Sequence, residues 1–221
     1  MKLKTLFAAV NLLAVAVLPL SAADMIKLTS TPGANKIRIE GDSTIHAWQM
    51  ESSTIGGYAE VGPGFPLKPG AEVKSGPIEA KVSVSVPIQS LKSINKDGTP
   101  YKPEMDNRMY EAVKEPETKR ITYNLTSLTL KEAPKTAGAY TFESTGELCV
   151  AGVTNKISMP VTVTVLEENK VKFAGTVSVK MTDFKIQPIS IKVLGIGIET
   201  SDDVKLFFEW VALKKAAPAA K

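Results

Sequence analysis

An all-β, antiparallel fold closed into a barrel is predicted by three observations. Apolar and polar residues alternate with period two along most of the chain, successive runs are joined by short polar turns, and helical spacing is confined to one segment. In KVSVSVPIQ, Val82, Val84, Val86 and Ile88 share one face while Lys81, Ser83, Ser85 and Gln89 take the other, the pattern of a half-buried strand. Long strands with few edge-protecting devices favour closure into a barrel. A sandwich is the alternative.

The elements follow in order. Lys2 and Lys4 precede an apolar run from Leu6 to Leu20 that ends in Ser21-Ala22-Ala23. A positive start, an apolar centre shorter than the ~20 residues of a spanning helix and small residues at its end describe a signal peptide, residues 1–23, with Asp24 as the new N-terminus. The rest has the length of one sandwich or barrel domain, taken as residues 24–213. Strands are expected at Lys36 to Glu40, Thr44 to Ile55, Lys81 to Gln89, Arg120 to Lys131, Ala139 to Ala151, Lys156 to Val165, Lys170 to Met181 and Val204 to Leu213, eight or more in all. Glu167-Glu168-Asn169 forms the hairpin loop between the sixth and seventh of these. In KPEMDNRMYEAVKEP, Met105, Met109 and Val113 recur at spacings of four, with Glu104 and Asp106 in the first turn and Pro116 as a stop. That predicts one short helix, placed to close one end of a barrel. Lys214-Lys215 and the residues after them, 214–221, read as a disordered, solvated tail.

The formal charge is +4, and removal of Lys2 and Lys4 halves it. The remaining Lys and Glu are interleaved, which speaks against a nucleic-acid partner. Cys149 is the sole cysteine, so no disulfide within the chain can form. The stretch GDSTIHAW raises the question of a serine esterase. His46 is the only histidine, so it would have to serve as the base for Ser43. In an extended strand, side chains three residues apart face opposite sides. One His and one Cys a hundred residues apart make no metal site, the acidic pairs Glu167-Glu168 and Asp202-Asp203 fall in turns, and GPGFPLKPG precedes no helix as a phosphate loop would. No catalytic constellation emerges, and STIHAW is read as strand, with Ile45 and Ala47 on one face and His46 and Trp48 on the other.

The order of pieces resembles the YceI-like family. The resemblance rests on an early Gly-x-Ser-x-x-His-x-Trp strand, VPIQSLKS, DNRMYEAVKEPETKRITYNL, GELCVAGVTNKISMPVTV and MTDFKIQP before a closing strand. It is most specific from Gly146 to Val163, where Asn155 stands between Thr154 and Lys156, and it covers about Asn35 to Leu213. It implies an extended eight-stranded lipocalin-like barrel with one short helix, in an exported protein of the bacterial periplasm. It also implies a long polyisoprenoid or quinone-like lipid held inside as cargo rather than as cofactor. A barrel of eight strands has room for one slender ligand, and an apolar tunnel draws in an apolar tail without directional bonds.

On this reading the protein is a non-enzymatic carrier. Ile45, Trp48, Val84, Val86, Tyr123, Leu125, Phe142, Leu148, Met159, Val161, Phe173 and Val177 are expected to line its interior. Transient membrane contact and a homodimer are both compatible with it. The alternative is a solid-cored barrel acting as a structural or interaction module. Two segments depart from the family pattern: the long connection VGPGFPLKPGAEVKSGP, and KIQPISIKVLGIGIET, apolar from Ile186 to Ile198. The latter would form an apolar lip at the barrel mouth or an ordinary loop packed over the core.

Overall fold

Eight long antiparallel strands close into a barrel in up-and-down order, seen in a computed structural model that describes residues 25–134, 138–193 and 196–214. The predicted signal peptide and residues 215–221 of the predicted tail lie outside the described residues. β1 (Ile26–Ser30) and β2 (Lys36–Ser43) are two halves of the first long strand. β3 (Trp48–Ser52) and β4 (Gly56–Val61) form the second, and β5 (Gly76–Ile78), β6 (Ala80–Pro87) and β7 (Lys92–Ile94) the third. β8 (Arg120–Glu132), β9 (Ala139–Val150), β10 (Val153–Glu167) and β11 (Lys170–Lys180) follow without a break. β12 (Ser190–Val193) is a short partner for the start of β13 (Ile196–Lys214), the eighth. Closure comes from β1, which pairs with β4 on one edge and with the end of β13 on the other, Leu28 opposite Lys214 and Ser30 opposite Ala212.

Each predicted strand corresponds to one long strand, and what the alternation missed is the portion beyond each interruption. The exception in kind is Thr44 to Ile55. β2 runs on to Ser43, residues 44–47 turn, and β3 starts at Trp48 opposite Gly41. Two helices stand where one was expected, α1 (Pro103–Ala112) and the single turn α2 (Glu115–Thr118). Lys114, in the left-handed conformation with φ 54°, ends the first. Pro116 then sits inside the first turn of the second, where its missing N–H costs nothing. Within the apolar 186–198 segment β12 pairs with the start of β13, and the pair is held to the 44–47 turn by the Thr44 N–H donating to the Glu199 carbonyl at 2.9 Å.

The interruptions of the first three strands lie side by side, and each leaves backbone groups without ladder partners. Asn35, 7 % exposed, supplies the first set. Its amide donates to the carbonyls of Thr31 at 2.9 Å and Ile55 at 3.3 Å, and its Oδ1 accepts from the Val211 N–H at 2.9 Å. One side chain thereby joins the breaks of the first and second strands to the eighth. Ser52 Oγ accepts from the Thr54 N–H at 3.0 Å and meets Ser90 Oγ at 2.8 Å, while Ser90 donates to the Pro87 carbonyl at 2.6 Å. Counting protons, Ser52 is the donor in the Ser–Ser bond.

Beyond this seam β3 is the one strand that β7 pairs with among the described residues, its other edge bridging Pro100 through Ile94 and taking the Tyr101 N–H on the Ser93 carbonyl at 2.9 Å, so the sheet opens next to β8. α1 fills the gap through side chains one turn apart. Asp106 accepts the Ser93 N–H at 2.6 Å, and the Tyr110 hydroxyl donates to the Leu91 carbonyl at 2.9 Å. A strand edge that would otherwise expose its backbone is thereby covered.

Replacing Asn35 with Ala leaves the buried Val211 N–H and Ile55 carbonyl unpaired. Chemical denaturation should show a loss of about 2–4 kcal/mol with an unchanged denaturant slope. A loss below about 0.5 kcal/mol would mean that the breaks are held by something other than this side chain.

Candidate functional site

Inward-facing side chains of the long strands leave a cavity of about 130 Å³ whose wall is almost wholly apolar. Alternation puts every second residue there: Val82, Val84 and Val86 from β6, Ile157, Met159 and Val161 from β10, Phe173 and Val177 from β11, Leu206, Phe208 and Trp210 from β13. Among the described residues no Lys, Arg, Asp or Glu reaches the wall.

Of the residues predicted to line the interior, Val84, Val86, Tyr123, Leu125, Leu148, Met159, Val161, Phe173 and Val177 lie along this wall. Three do not. Ile45 is 53 % exposed, because it stands in the 44–47 turn rather than in a strand. Trp48 faces inward from β3, but its indole lies against the backbone of Gly41, and its Nε1–H finds no acceptor among the described residues. Phe142 is fully buried and stacks on Phe65, away from the cavity wall.

Several lining residues were missed. Leu206, Phe208 and Trp210 carried a readable signal, since they alternate within VKLFFEWVAL. Leu128 follows a bulge between Leu125 and Ser127 that breaks the two-residue period of β8. Ile55 stands alone at a strand break, where periodicity has no meaning.

Two glycines shape the wall by letting an aromatic ring lie flat on the backbone. A Cβ on Gly146 would come within 2.5 Å of the Tyr123 phenol, and one on Gly175 within 2.7 Å of the Phe208 ring. Across Gly146 the Tyr123 hydroxyl reaches Ser144 Oγ at 2.8 Å. Each masks the other's polarity, so the wall stays apolar. Burial pushes the Tyr123 phenol above the usual tyrosine range, with the Ser144 hydrogen bond opposing part of the shift.

The Ser43 hydroxyl donates to the His46 carbonyl at 2.7 Å and accepts the His46 N–H at 3.3 Å, while His46 Nδ1 lies 2.9 Å from the Ala47 carbonyl. The serine thus organises a turn, and the imidazole is not placed to take its proton. The acidic pairs are engaged at the surface: Glu167 with Lys170, Glu168 with Lys68, and Asp202 with Thr182, whose N–H and hydroxyl donate at 2.9 and 2.7 Å.

Loop 62–75, between β4 and β5, folds over one end of the barrel. Phe65 is buried there, the Asn169 N–H donates to the Leu67 carbonyl at 2.8 Å, and the Tyr140 hydroxyl donates to the Ala71 carbonyl at 2.6 Å. At the other end α1, α2 and the 3₁₀ turn Thr182–Phe184 gather with Ile88, Leu91, Val113 and Phe184, all buried.

Comparison with protein families matches residues 28–212 to the YceI-like domain. Comparison with the sequences of curated proteins gives no significant match. Among solved structures, a polyisoprenoid binding domain from Saccharophagus degradans, implicated in plant cell wall breakdown, superposes with a TM-score of 0.60 at 9 % identity, covering 87 % of this chain and 100 % of its own. BcnA of Burkholderia cenocepacia gives 0.57 at 14 % identity, covering 82 % and 98 %. At these identities the likeness is one of fold.

The raised Tyr123 phenol has a pH consequence. Its protonated form is favoured by folding, so that contribution is complete below the ordinary tyrosine value of ~10 and is lost as pH rises through the higher folded value. Absorbance titration near the phenolate band should show a late-ionising tyrosine that disappears in Tyr123→Phe. Gly146→Ala should displace the ring and cost about 1–3 kcal/mol. Wild-type stability in Gly146→Ala would show that the ring does not need that space.

Proposed function

Because this chain belongs to the YceI-like family and its barrel encloses an apolar cavity, we propose that it is a non-enzymatic carrier of a long-chain polyisoprenoid or a similar lipid. The single observation that carries the reading is the wall: apolar residues from β6, β8, β9, β10, β11 and β13 around a space of about 130 Å³. A solid-cored interaction module would fill that space with its own side chains. Roughly 10–15 Å³ admits one water, so the cavity exceeds that threshold by about tenfold, yet its wall offers water almost nothing to bond. Such a space suits a slender hydrocarbon chain.

The Saccharophagus degradans domain of the same fold is described as polyisoprenoid binding, which supports the same cargo class here. Each buried methylene contributes about 0.8 kcal/mol before the cost of ordering the chain is subtracted, so affinity should rise with tail length. In this reading residues 1–23 direct export, the mature protein resides in the periplasm, and cargo is exchanged by transient contact with a membrane.

Protein purified without detergent should yield a stoichiometric long-chain isoprenoid on organic extraction and mass spectrometry. An empty extract, with no uptake when candidate lipids are added back, would transfer the weight to the solid-module reading. Met159→Trp fills the cavity from β10. It should abolish uptake at a stability cost of about 1–3 kcal/mol, and undiminished uptake would place the cargo elsewhere.

A further inference from the structure

We propose that Phe65 sets the length of chain the barrel accepts, acting as a stopper carried on a loop rather than on a strand; this rests on the carrier reading above. Phe142 on β9 and Phe173 on β11 stand either side of β10, which presents only Val161 and Val163 to the interior at their level. The valines are too short to bridge the two rings. Phe65 fills the gap, stacked on Phe142 at 5.7 Å and on Phe173 at 6.0 Å, with interplanar angles of 22° and 28°. Trp210 extends the row, 5.0 Å from Phe173, and is fixed by its Nε1–H donating to Ser30 Oγ at 2.7 Å.

Phe173 and Trp210 also line the cavity, so these two rings form its floor, and Phe65 backs it, stacked on Phe173 between that ring and Phe142. Three of the four rings are pinned by strand register. Phe65 alone comes from irregular chain, beside Gly64 with φ +93°, a conformation that favours glycine. Beyond the floor Val165, Val171 and Ala212 are buried, and the one tyrosine beside them, Tyr140, has its hydroxyl taken up by the Ala71 carbonyl at 2.6 Å. A chain that passed Phe65 would therefore continue through apolar surroundings, and the side chain at position 65 decides where it stops.

The test is a set of isoprenoid alcohols of increasing length, farnesol, geranylgeraniol and solanesol, titrated against the full mature chain with tryptophan fluorescence as the readout. In the wild-type protein, affinity should stop rising at one length. Phe65→Ala should move that limit to a longer chain, with the affinity ratio of solanesol to geranylgeraniol rising at least about tenfold, and Phe65→Trp should move it to a shorter one. Phe65→Leu keeps apolar packing and should give an intermediate shift, so the proposal stays testable if the alanine variant does not fold. An unchanged length profile in folded Leu and Trp variants would overturn the stopper while leaving the carrier intact. Failure of the wild-type protein to bind any of the three would instead remove the carrier reading, and the stopper with it.

Discussion

The polar seam formed by Asn35, Ser52 and Ser90 is the constraint on which the rest of the barrel depends. Three neighbouring strands are interrupted at one level, and an interruption in a buried sheet wall ordinarily leaves N–H and C=O groups unpaired, at about 1–3 kcal/mol each. Here side-chain amide and hydroxyl groups replace the missing ladder bonds. The first strand can therefore pair with β13 along both of its halves, β2 on one side of the break and β1 on the other. Without the Asn35 bond to Val211, the break in the first strand would keep the Thr31 N–H donating to the Val211 carbonyl at 2.8 Å but would lose the partner of the Val211 N–H. The opening beside β7, filled by α1, follows from the same break.

Given closure, the cavity results from where large and small inward residues fall. Glycines at 146 and 175 let Tyr123 and Phe208 lie against the sheet instead of projecting to the barrel axis. Small and medium aliphatics from β6 and β10 complete the wall. Packing to interior density would be the default for side chains of this total volume. The space persists because flat-lying rings take up wall rather than lumen.

The sequence showed the fold class and most of the wall because period-two alternation reports burial directly. It worked where the two-residue count runs unbroken, as along β9, β11 and most of β10, and for Val84, Met159 or Phe173 it assigned the right face. It failed wherever the two-residue count is reset. Ile45 looked like a strand residue because its apolar neighbours alternate, whereas the Ser43–His46 bonds turn the chain there. Leu128 was lost to a bulge and Ile55 to a strand break. Phe65 had no reading at all, since in a Pro- and Gly-rich segment nothing in the local pattern says which way a side chain points; only the gap left by two valines on β10 identifies its place.

An uncharged wall also decides which part of a lipid can be inside. Moving an ionised group into an apolar interior without a partner costs far more than the burial of a few methylenes returns, and among the described residues no charged side chain lines the cavity to offset it. The one polar pair there, Tyr123 and Ser144, is spent on itself. On the carrier reading, a charged head group would therefore stay outside the wall while the tail occupied the lumen. With Phe65 and its loop blocking one end, the tail's free tip would face the aromatic floor and the head group would lie towards the end that carries α1, α2 and the β12–β13 pair. Chain length and head-group charge would then be read at opposite ends of the barrel by different elements, the first by a ring on a loop and the second by the simple absence of charge in the wall.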